Sequence, residues 1–411
     1  MISLSFTLLA FISLAITVWQ WRVARRFPLH RRVADRHHAP AVTLLKPLRG
    51  GDTETRRCLE SWFAQDYSGE VQVLFGVPSA HDPVCDTVRQ LIASHPGRDA
   101  QLIICAESHG ANEKVSTLLQ LLRQAKHEFI VVSDADIRVP PDFVANVIAP
   151  LCEPPVNLVN CFYRLANPST LAMHWEAIAI NADFWSQVLQ ARSLKAIDFA
   201  LGAAMATTRT QLDSIGGFAA LADYLADDYH LGNLTARRGG RIEISPVVVE
   251  CRESPKTWGQ VWAHQLRWAR TIRSCRPVPY FFSILGNATL WPLLMLLTGA
   301  SGREREWTKQ IESAFGPGTI PIAIPAIFAL FLVCLLVRIL TALANRARLE
   351  ESGMQWAGAW LIPTKDLLNA AIWALAFLGN RIVWRGHTYR VTTDGKLVGI
   401  AEQAPRSKPA A

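Results

Sequence analysis

The sequence predicts an α/β domain with a mostly parallel sheet, flanked on both sides by apolar helices of membrane-spanning length. Half of the 411 residues are hydrophobic, and long apolar runs lie near both ends of the chain. Between them the apolar runs are short and alternate with stretches of helical periodicity. Short buried strands that alternate with helices are typical of a parallel sheet covered by helices on both faces.

The first apolar segment, residues 2–21, contains no charged side chain. About 20 such residues are enough to cross the hydrocarbon core of a bilayer. The segment lacks the basic start and the small-residue cleavage site of a signal peptide. Six arginines follow it within residues 22–36. By the positive-inside rule, the chain after this segment therefore lies in the cytoplasm.

Two more apolar runs, residues 279–297 and 320–340, predict a second and a third crossing. Arginines precede the first of these runs and follow the other, so both adjoin the cytoplasm under the same rule. The stretch between them, residues 302–317, carries both signs of charge and is predicted to be an outer loop. The three crossings give one consistent orientation.

A fourth apolar run, residues 356–378, is long enough to span but contains Lys365 and Asp366. A simple crossing would also place the basic residues that follow it outside, against the positive-inside rule. Charges at membrane depth occur where they face protein or a cavity rather than lipid. We therefore predict an interfacial or re-entrant pair of helices broken near Pro363.

The predicted domain order is a transmembrane helix at 1–21, an α/β domain at 40–276, a C-terminal membrane region at 279–390 and a tail at 391–411. Within the α/β domain, the pattern predicts strands at 42–45, 71–77, 101–105 and 129–133, and helices at 56–63, 83–94 and 114–123. Sheets of this kind bind their ligands beyond the carboxyl ends of the strands.

The formal net charge of +8 is compatible with binding to nucleic acid or to anionic lipid. A nucleic-acid binder would carry its basic residues along a soluble face, whereas here many arginines adjoin the apolar runs. That arrangement favours a membrane surface, so we predict a bilayer and no nucleic acid as partner. The eight cysteines lack metal-binding spacing and are interpreted as reduced structural thiols.

The sharpest chemical motif is the Asp-Ala-Asp sequence at 134–136, directly after the predicted strand at 129–133. Two carboxylates at i and i+2 can hold a hard divalent cation, which in turn binds a diphosphate. The cation would neutralise the charge that builds on a departing nucleoside diphosphate. The alternative is an acidic turn that caps the next helix.

A second acidic motif, Asp227-Asp228-Tyr229, follows some ninety residues later. Transfer of a sugar with inversion needs one carboxylate to take the proton of the acceptor hydroxyl. A pair of acids before an aromatic residue is equally typical of a helix N-terminus, where the helix dipole stabilises negative charge.

A third motif places Arg267 and Trp268 after His264. The arginine could pair with phosphate, and the indole offers a flat surface to a sugar. The alternative is an amphipathic helix at the membrane interface. Lesser candidates lie in loops that follow strands or in glycine turns: Lys46, Asp82, Asn112, Lys114, Gly202, Gly216 and Gly217.

In this order, the motifs resemble those of the ceramide glucosyltransferase family of membrane glycosyltransferases, and the resemblance covers nearly the whole chain. The matching sequences are Lys46-Pro-Leu-Arg-Gly50, His81-Asp-Pro83, Gly110-Ala-Asn-Glu-Lys114, the stretch from Asp134 to Val139, Ala226-Asp-Asp-Tyr229, Arg267-Trp268 and Trp384-Arg-Gly386.

The resemblance implies a GT-A fold, a nucleotide-sugar donor such as UDP-glucose, a divalent cation (Mg²⁺ or Mn²⁺) and an inverting single displacement. Matched by motif, Asp82 would contact the nucleoside, Asp134 the metal-bound diphosphate, and Asp228 would be the base. Asp136 is the second metal ligand predicted from the Asp-Ala-Asp sequence itself. Lys114, Arg267 and Trp268 would complete the donor site. Two positions depart from the family pattern: His264 stands where the family has Gln or Arg, and Asp136 where several relatives have a non-acidic residue.

The resemblance implies a lipid acceptor, with ceramide as first choice. Bacterial hopanoid glycosyltransferases resemble the same motif set, so a polyol hopanoid that receives N-acetylglucosamine or a similar sugar is the alternative. A processive polysaccharide synthase would share the acidic and Arg-Trp motifs, but it would have more membrane crossings. A transporter or scaffold would leave the α/β domain unexplained. We expect an integral protein of a bacterial inner membrane with a cytoplasmic catalytic domain.

Overall fold

The structure, a computed structural model, describes residues 2–32, 39–300 and 320–400. It divides into two units, which we name the sheet unit and the apolar unit. The sheet unit comprises Leu29–Thr170, Ala196–Arg276 and Ala376–Ala411, and the apolar unit comprises Met1–Pro28, Leu171–Lys195 and Pro277–Leu375.

The α-helices are, in chain order, α1 (Ile2–Arg26), α2 (Thr55–Phe63), α3 (Val84–Ser94), α4 (Glu113–Gln124), α5 (Phe143–Ile148), α6 (Leu171–Ile178), α7 (Trp185–Leu194), α8 (Arg209–Ser214), α9 (Asp227–Arg237), α10 (Trp258–Cys275), α11 (Pro277–Phe282), α12 (Leu290–Ala300), α13 (Ile320–Glu350) and α14 (Leu361–Ala376). The strands are β1 (Val42–Pro47), β2 (Val71–Val77), β3 (Asp99–Ile104), β4 (Phe129–Ser133), β5 (Ile137–Arg138), β6 (Val156–Leu165), β7 (Ala204–Thr208), β8 (Arg241–Cys251), β9 (Arg381–Trp384), β10 (His387–Val391) and β11 (Leu397–Gly399).

The sheet unit is built on an eight-stranded sheet in the order β3-β2-β1-β4-β7-β6-β8-β5. Strand β1 pairs in parallel with β2 and β4, β2 with β3, and β6 with β8. The remaining pairs are antiparallel. All residues of β1 are buried, as expected of an apolar strand covered on both faces. The predicted mostly parallel sheet is confirmed.

Helix α4 shows why the strands and helices alternate. Its apolar residues Val115, Leu118 and Leu121 recur at helical spacing and are all buried. The Asn112 side chain accepts a hydrogen bond from the backbone N–H of Val115, at 3.2 Å, and so caps the first turn. Because β1 to β4 are parallel neighbours, the loops at their carboxyl ends, including the start of α4, lie along one edge of the sheet.

The last part of the sheet unit is a separate antiparallel sheet, β9-β10-β11, which we call the tail sheet. Ile382, Val391 and Leu397 of this sheet are buried in one cluster with Leu225. The sequence had assigned residues up to 390 to the membrane region and the rest to a tail. The structure instead groups residues 376–400 with the sheet unit.

The apolar unit contains two helical segments long and apolar enough to cross a membrane among the described residues, Leu4–Arg26 and Pro325–Glu350. A third candidate is a pair of helices, Pro277–Gly286 and Leu290–Gly299, which meet at an angle of 53°. The sequence predicted one uninterrupted run at 279–297 there, whereas the structure has a bend. The predicted outer loop at 302–317 lies outside the described residues.

Residues 171–195, which the sequence placed in the α/β domain, group with the apolar unit. They form α6, a π-helical segment at Ala179–Phe184, and α7. Ile178 and Ala182 pack in a buried cluster with Ala342, Leu343 and Leu361. The segment is therefore a helical component of the apolar unit inserted within the sequence of the sheet unit.

The charges in the fourth apolar run are held by an ion network inside the apolar unit. Asp366 accepts hydrogen bonds from Nε and Nη2 of Arg338, each at 2.8 Å, and from the Thr289 hydroxyl at 2.7 Å. Asp183 also accepts from Arg338 at 2.8 Å and pairs with Lys365. A single helix, α14, carries Lys365 and Asp366, instead of the predicted pair broken near Pro363. Pro363 falls in the first turn of this helix, where backbone N–H groups have no partner within the helix.

Candidate active site

The loop after β4 carries Asp134 and Asp136 at the edge where β1, β2 and β3 also end. Lys46, at the end of β1, donates to the Ser133 hydroxyl at 3.2 Å and to the Asp134 carbonyl. Lys46 is fully buried. Burial lowers the pKa of Lys46 to about 8, although the charge of Asp134 opposes this shift. The Lys46 ammonium therefore holds the backbone at the start of the 134–136 loop in place.

Lys114 joins the two acidic motifs. Its Nζ lies 2.8 Å from Oδ1 of Asp134 and 3.0 Å from Oδ2 of Asp227. Burial opposes the charge of Lys114, but Asp134 and then Asp227 more than offset it and raise the pKa. Two motifs that are far apart in sequence are thus brought together by one buried ammonium at the start of α4.

Asp228 occupies the first turn of α9 and has different partners from Asp227. Its Oδ1 accepts a hydrogen bond from the backbone N–H of Tyr229 at 2.7 Å. Gly202 lies against the same carboxylate, since a Cβ at position 202 would lie 2.7 Å from Oδ2. Burial, followed by the charge of Asp227, raises the pKa of Asp228 to about 7. A carboxylate with this pKa can accept a proton near neutral pH.

Asp136 lies beside Cys251 and Glu253, at the end of β8. The ligand atoms of these three side chains lie within 4.8 Å of one another, and the Cys251 thiol donates to Oδ2 of Asp136 at 3.4 Å. Burial, then Asp134 and Glu253, raise the pKa of Asp136 to about 6. Carboxylate oxygens are the ligands that Mg²⁺ and Mn²⁺ prefer, and a cation would relieve the repulsion between these acids. The residues present therefore fit a divalent cation.

Asp82 connects the loops after β1 and β2. Its two carboxylate oxygens lie 3.0 and 2.9 Å from the backbone nitrogen of Gly50, which donates to them. Oδ1 also accepts from the backbone N–H of Val84 at 3.0 Å. Gly50 has φ of +63°, a conformation that favours glycine. Asp82 thus shapes the loop that follows Lys46.

Arg267 and Trp268 lie on α10, which begins with a capping box formed by Thr257 and Gln260. The Trp268 ring meets His264 with 4.7 Å between ring centroids and packs edge-on against Tyr163 of β6 at 6.4 Å. Both residues belong to an 18-residue helix, and their contact with phosphate and sugar stays a prediction.

Three groups near these residues were not singled out from the sequence. Glu253 lies beside Asp136, Glu113 pairs with Arg49, and Arg385 of the tail sheet lies 3.9 Å from Glu113. Arg49, Glu113 and Arg385 fall within quoted motifs, but nothing in their spacing indicated that they meet.

The model of glycosyl transferase family 21 matches residues 5–397. The chain belongs to this family. It is therefore a glycosyltransferase, and its candidate spans make it a membrane protein. The predicted relationship to the ceramide glucosyltransferases is confirmed.

Individual relatives of this family 21 member agree with that assignment. Ceramide glucosyltransferase 3 of Caenorhabditis elegans is 22% identical over 376 residues, which cover 91% of this chain and 77% of that protein. An N-acetylglucosaminyltransferase of Bradyrhizobium diazoefficiens is 24% identical over 245 residues, or 56% of this chain and 49% of that protein.

A solved structure shows the fold. The mannosyltransferase PcManGT from Pyrobaculum calidifontis, in complex with GDP-Man and Mn²⁺, superimposes with a TM-score of 0.52 at 21% identity. The match covers 81% of this chain and 97% of the mannosyltransferase. The GT-A-like fold implied by the sequence motifs is confirmed.

Proposed function

We propose that this protein transfers one sugar, glucose as first choice, from a UDP-sugar to a hydroxyl group of ceramide, with inversion at the anomeric carbon. The observation that carries the proposal is the bridge from Lys114 to Asp134 and Asp227. It joins a loop suited to a metal-bound diphosphate to the acidic pair that contains the proposed base. The likeness to a ceramide glucosyltransferase over 91% of the chain supports the acceptor.

On the donor side, Asp134 and Asp136 would hold Mg²⁺ or Mn²⁺. The cation would supply positive charge to the diphosphate as it departs. Lys114 contributes a fixed positive charge beside the same carboxylates. Asp82 orders the neighbouring loop through Gly50 and is the proposed contact for the nucleoside. Arg267 and Trp268 are the proposed contacts for phosphate and sugar from α10.

On the acceptor side, Asp228 is the proposed base. Its carboxylate takes the proton of the acceptor hydroxyl while that oxygen bonds to the anomeric carbon. The bond from this carbon to the diphosphate oxygen breaks at the same time, and UDP leaves with the electron pair. One displacement of this kind inverts the configuration. The raised pKa of Asp228 suits a base that works near neutral pH.

A hopanoid glycosyltransferase is the second candidate, because hopanoid glycosyltransferases resemble the same motif set. A bacterial N-acetylglucosaminyltransferase that matches 56% of the chain supports N-acetylglucosamine as the sugar in that case. In that case the donor would be UDP-N-acetylglucosamine and the acceptor a polyol hopanoid. Either reaction would take place at the cytoplasmic face of a bacterial inner membrane, because the arginines after the first apolar segment predict a cytoplasmic catalytic domain under the positive-inside rule.

The test is transfer by purified protein in liposomes that contain either ceramide or a polyol hopanoid. UDP-glucose and UDP-N-acetylglucosamine are supplied in turn with Mg²⁺ or Mn²⁺, and the lipids are analysed by mass spectrometry. We expect ceramide to gain one hexose from UDP-glucose. The product should disappear with a chelator and return when the metal is restored.

Each other outcome has a defined meaning for the proposal. Transfer of a hexosamine to the hopanoid, and not to ceramide, would favour the second candidate function. A series of products with increasing numbers of sugars would indicate a processive synthase. No transfer with any pair would refute the proposed function. Asp134→Ala should insert into liposomes as the wild type does yet form no product; full activity in that variant would remove the metal site from Asp134.

A further inference from the structure

The turn between β9 and β10 holds an arginine in a conformation that arginine disfavours. Trp384 pairs with His387, which leaves Arg385 and Gly386 as a two-residue turn with φ of +52° and +83°. Turns with positive φ at both positions favour Asn, Asp or Gly. Side chains held in such conformations cluster at ligand sites, where surrounding structure maintains them. The position of Arg385 therefore calls for a functional explanation.

The tail sheet fixes this turn to the segment that leads into Asp227 and Asp228. The backbone N–H of Leu397 donates to the Asp223 carbonyl at 2.7 Å, and that of Leu225 donates to the Gly395 carbonyl at 3.2 Å. Leu225 and Leu397 are also buried in the same cluster. The sheet that carries Arg385 is therefore attached to the segment before Asp227 by backbone hydrogen bonds and by apolar packing.

The Arg385 side chain is only 24% exposed, and its nearest carboxylate oxygen is Oε2 of Glu113, 3.9 Å from Nη1. That separation is too long for a hydrogen bond, and among the described residues the guanidinium has no hydrogen-bond acceptor within range. Burial lowers the pKa of Arg385, while Asp134 acts in the opposite direction. An arginine remains charged in proteins. The largely buried guanidinium of Arg385 therefore has N–H donors that make no hydrogen bond within the described residues.

A second guanidinium shares the same carboxylate. Arg49, in the loop after β1, forms an ion pair with Glu113. Glu113 directly precedes Lys114, which contacts Asp134 and Asp227. Because one carboxylate lies between two arginines, the group formed by Arg49, Glu113 and Arg385 carries one net positive charge. A diphosphate is the anion that would balance it, because its oxygens match the fork of a guanidinium.

We propose that Arg385 binds the diphosphate of the nucleotide-sugar donor, exchanging Glu113 for phosphate oxygens, so that the tail sheet completes the donor site. This inference rests on the proposed function, since it requires a donor with a nucleoside diphosphate. Negative charge grows on the diphosphate as the bond to the sugar breaks. A guanidinium fixed at that point stabilises the charge without having to reorganise.

The test compares the binding of UDP and of UMP, each with Mn²⁺, to the full-length protein in detergent by calorimetry. The variant is Arg385→Asn, because asparagine favours the backbone conformation of this turn and removes the guanidinium. We expect the Kd for UDP to rise about 10- to 100-fold, as is typical when a hydrogen-bonded charge is lost. The Kd for UMP should change less than about threefold, and the melting temperature should stay or increase.

Arg390→Asn is the matched control, because Arg390 lies on β10 of the same sheet and is exposed. It should bind UDP as the wild type does. Arg385→Lys keeps the charge but loses the fork, so its Kd for UDP should lie between those of Arg385→Asn and the wild type. Unchanged binding of UDP by Arg385→Asn, or equal losses for UDP and UMP, would overturn the inference. If the wild type bound none of UDP, GDP, CDP or ADP, both this inference and the proposed function would be refuted.

Discussion

Asp227 and Asp228 are adjacent in sequence, yet the fold gives them different environments. Asp227 is buried against Lys114, at 3.0 Å, so its charge is already paired. Asp228 accepts a hydrogen bond from the backbone N–H of Tyr229, and burial together with the charge of Asp227 raises the pKa of Asp228 to about 7. A paired carboxylate is a poor proton acceptor, whereas a desolvated one with a raised pKa is a good one. At the residue scale, this contrast favours Asp228 as the base.

Replacing Asp228 by Asn should therefore affect chemistry more than binding. The amide keeps the size and hydrogen bonding of the carboxylate but cannot accept a proton. We expect kcat to fall by roughly 10² to 10⁴, while the affinity for UDP-glucose changes little. Asp213→Asn, at an exposed position on α8, is the control and should be fully active. If Asp227→Asn were inactive and Asp228→Asn normal, the base would have to be reassigned to Asp227.

The same environment predicts a pH dependence. The base must be deprotonated to work, and burial together with Asp227 raises the pKa of Asp228 to about 7. The value of kcat/KM should therefore fall about tenfold per pH unit below that pKa. Removing the neighbouring charge in Asp227→Asn should move this acidic limb to lower pH in whatever activity remains. A rate that is flat from pH 8 to pH 5 would contradict the assignment of Asp228.

At the scale of elements, the ion network of the apolar unit explains charges that the sequence could not place. Asp183 is in the π-helical segment, Arg338 in α13, and Lys365 with Asp366 in α14. Two acids and two bases meet, and Arg338 contacts both acids at 2.8 Å. Their charges balance within the network. The network holds together three parts of the chain that are distant in sequence.

Arg338→Met should therefore be strongly destabilising, because it leaves two buried carboxylates with one lysine. Removing one partner of a buried pair typically costs about 3 to 5 kcal/mol. We expect a lower melting temperature in detergent and a smaller yield of monodisperse protein. The double variant Arg338→Met with Asp366→Leu should recover part of the loss, since one cation and one anion are then removed together.

Leu336→Met, which alters an exposed apolar side chain of α13, is the control for that experiment and should melt like the wild type. An Arg338→Met protein as stable as the wild type would mean that the network contributes nothing to stability.

Features that depend on residues close together in sequence were predicted, and features that depend on contacts between distant residues were missed. The strands β1, β2 and β4 were predicted because fully buried apolar runs leave a local signature. The acidic loop at 134–136 was predicted because its chemistry is contained in three consecutive residues. The tail sheet was missed because its strands are only three to five residues long and depend on packing against Leu225.

The candidate site shows the same limit. The sequence supplied Asp134 and Lys114 as separate candidates, but their contact depends on β3 and β4 ending at one edge of the sheet. Glu253 and Arg385 come from β8 and the tail, whose places in the fold have no local signature. Asp82 was assigned to a ligand by resemblance, and its bonds to the Gly50 backbone add a structural role that no motif contains.

At the scale of the whole molecule, orientation in the membrane is the open prediction. By the positive-inside rule, the arginines after the first apolar segment predict that the sheet unit, with Asp82, Asp134 and Asp228, lies in the cytoplasm. Gly97 and Gly259 are exposed positions of that unit where a Cβ would meet no other atom within 4 Å. Single cysteines there, in a cysteine-free background, should not react with an impermeant maleimide added to intact cells.

Ser313→Cys, in the predicted outer loop, is the opposite control and should react from outside. Labelling of Gly97→Cys or Gly259→Cys in intact cells would reverse the orientation. It would also remove the argument for a UDP-sugar donor, because those donors are cytoplasmic in bacteria.

The anchoring of the tail sheet also sets an order of events during synthesis. Residues 381–399 leave the ribosome after every other strand and helix of the structure, long after α1 can have entered the membrane. Until then Leu225 lacks its apolar partners in the tail sheet, and the backbone of Asp223 lacks its bond to Leu397. The segment that carries Asp227 and Asp228 therefore acquires its final support last. A nascent chain already held in the bilayer would reach its active geometry only when translation has passed the tail sheet.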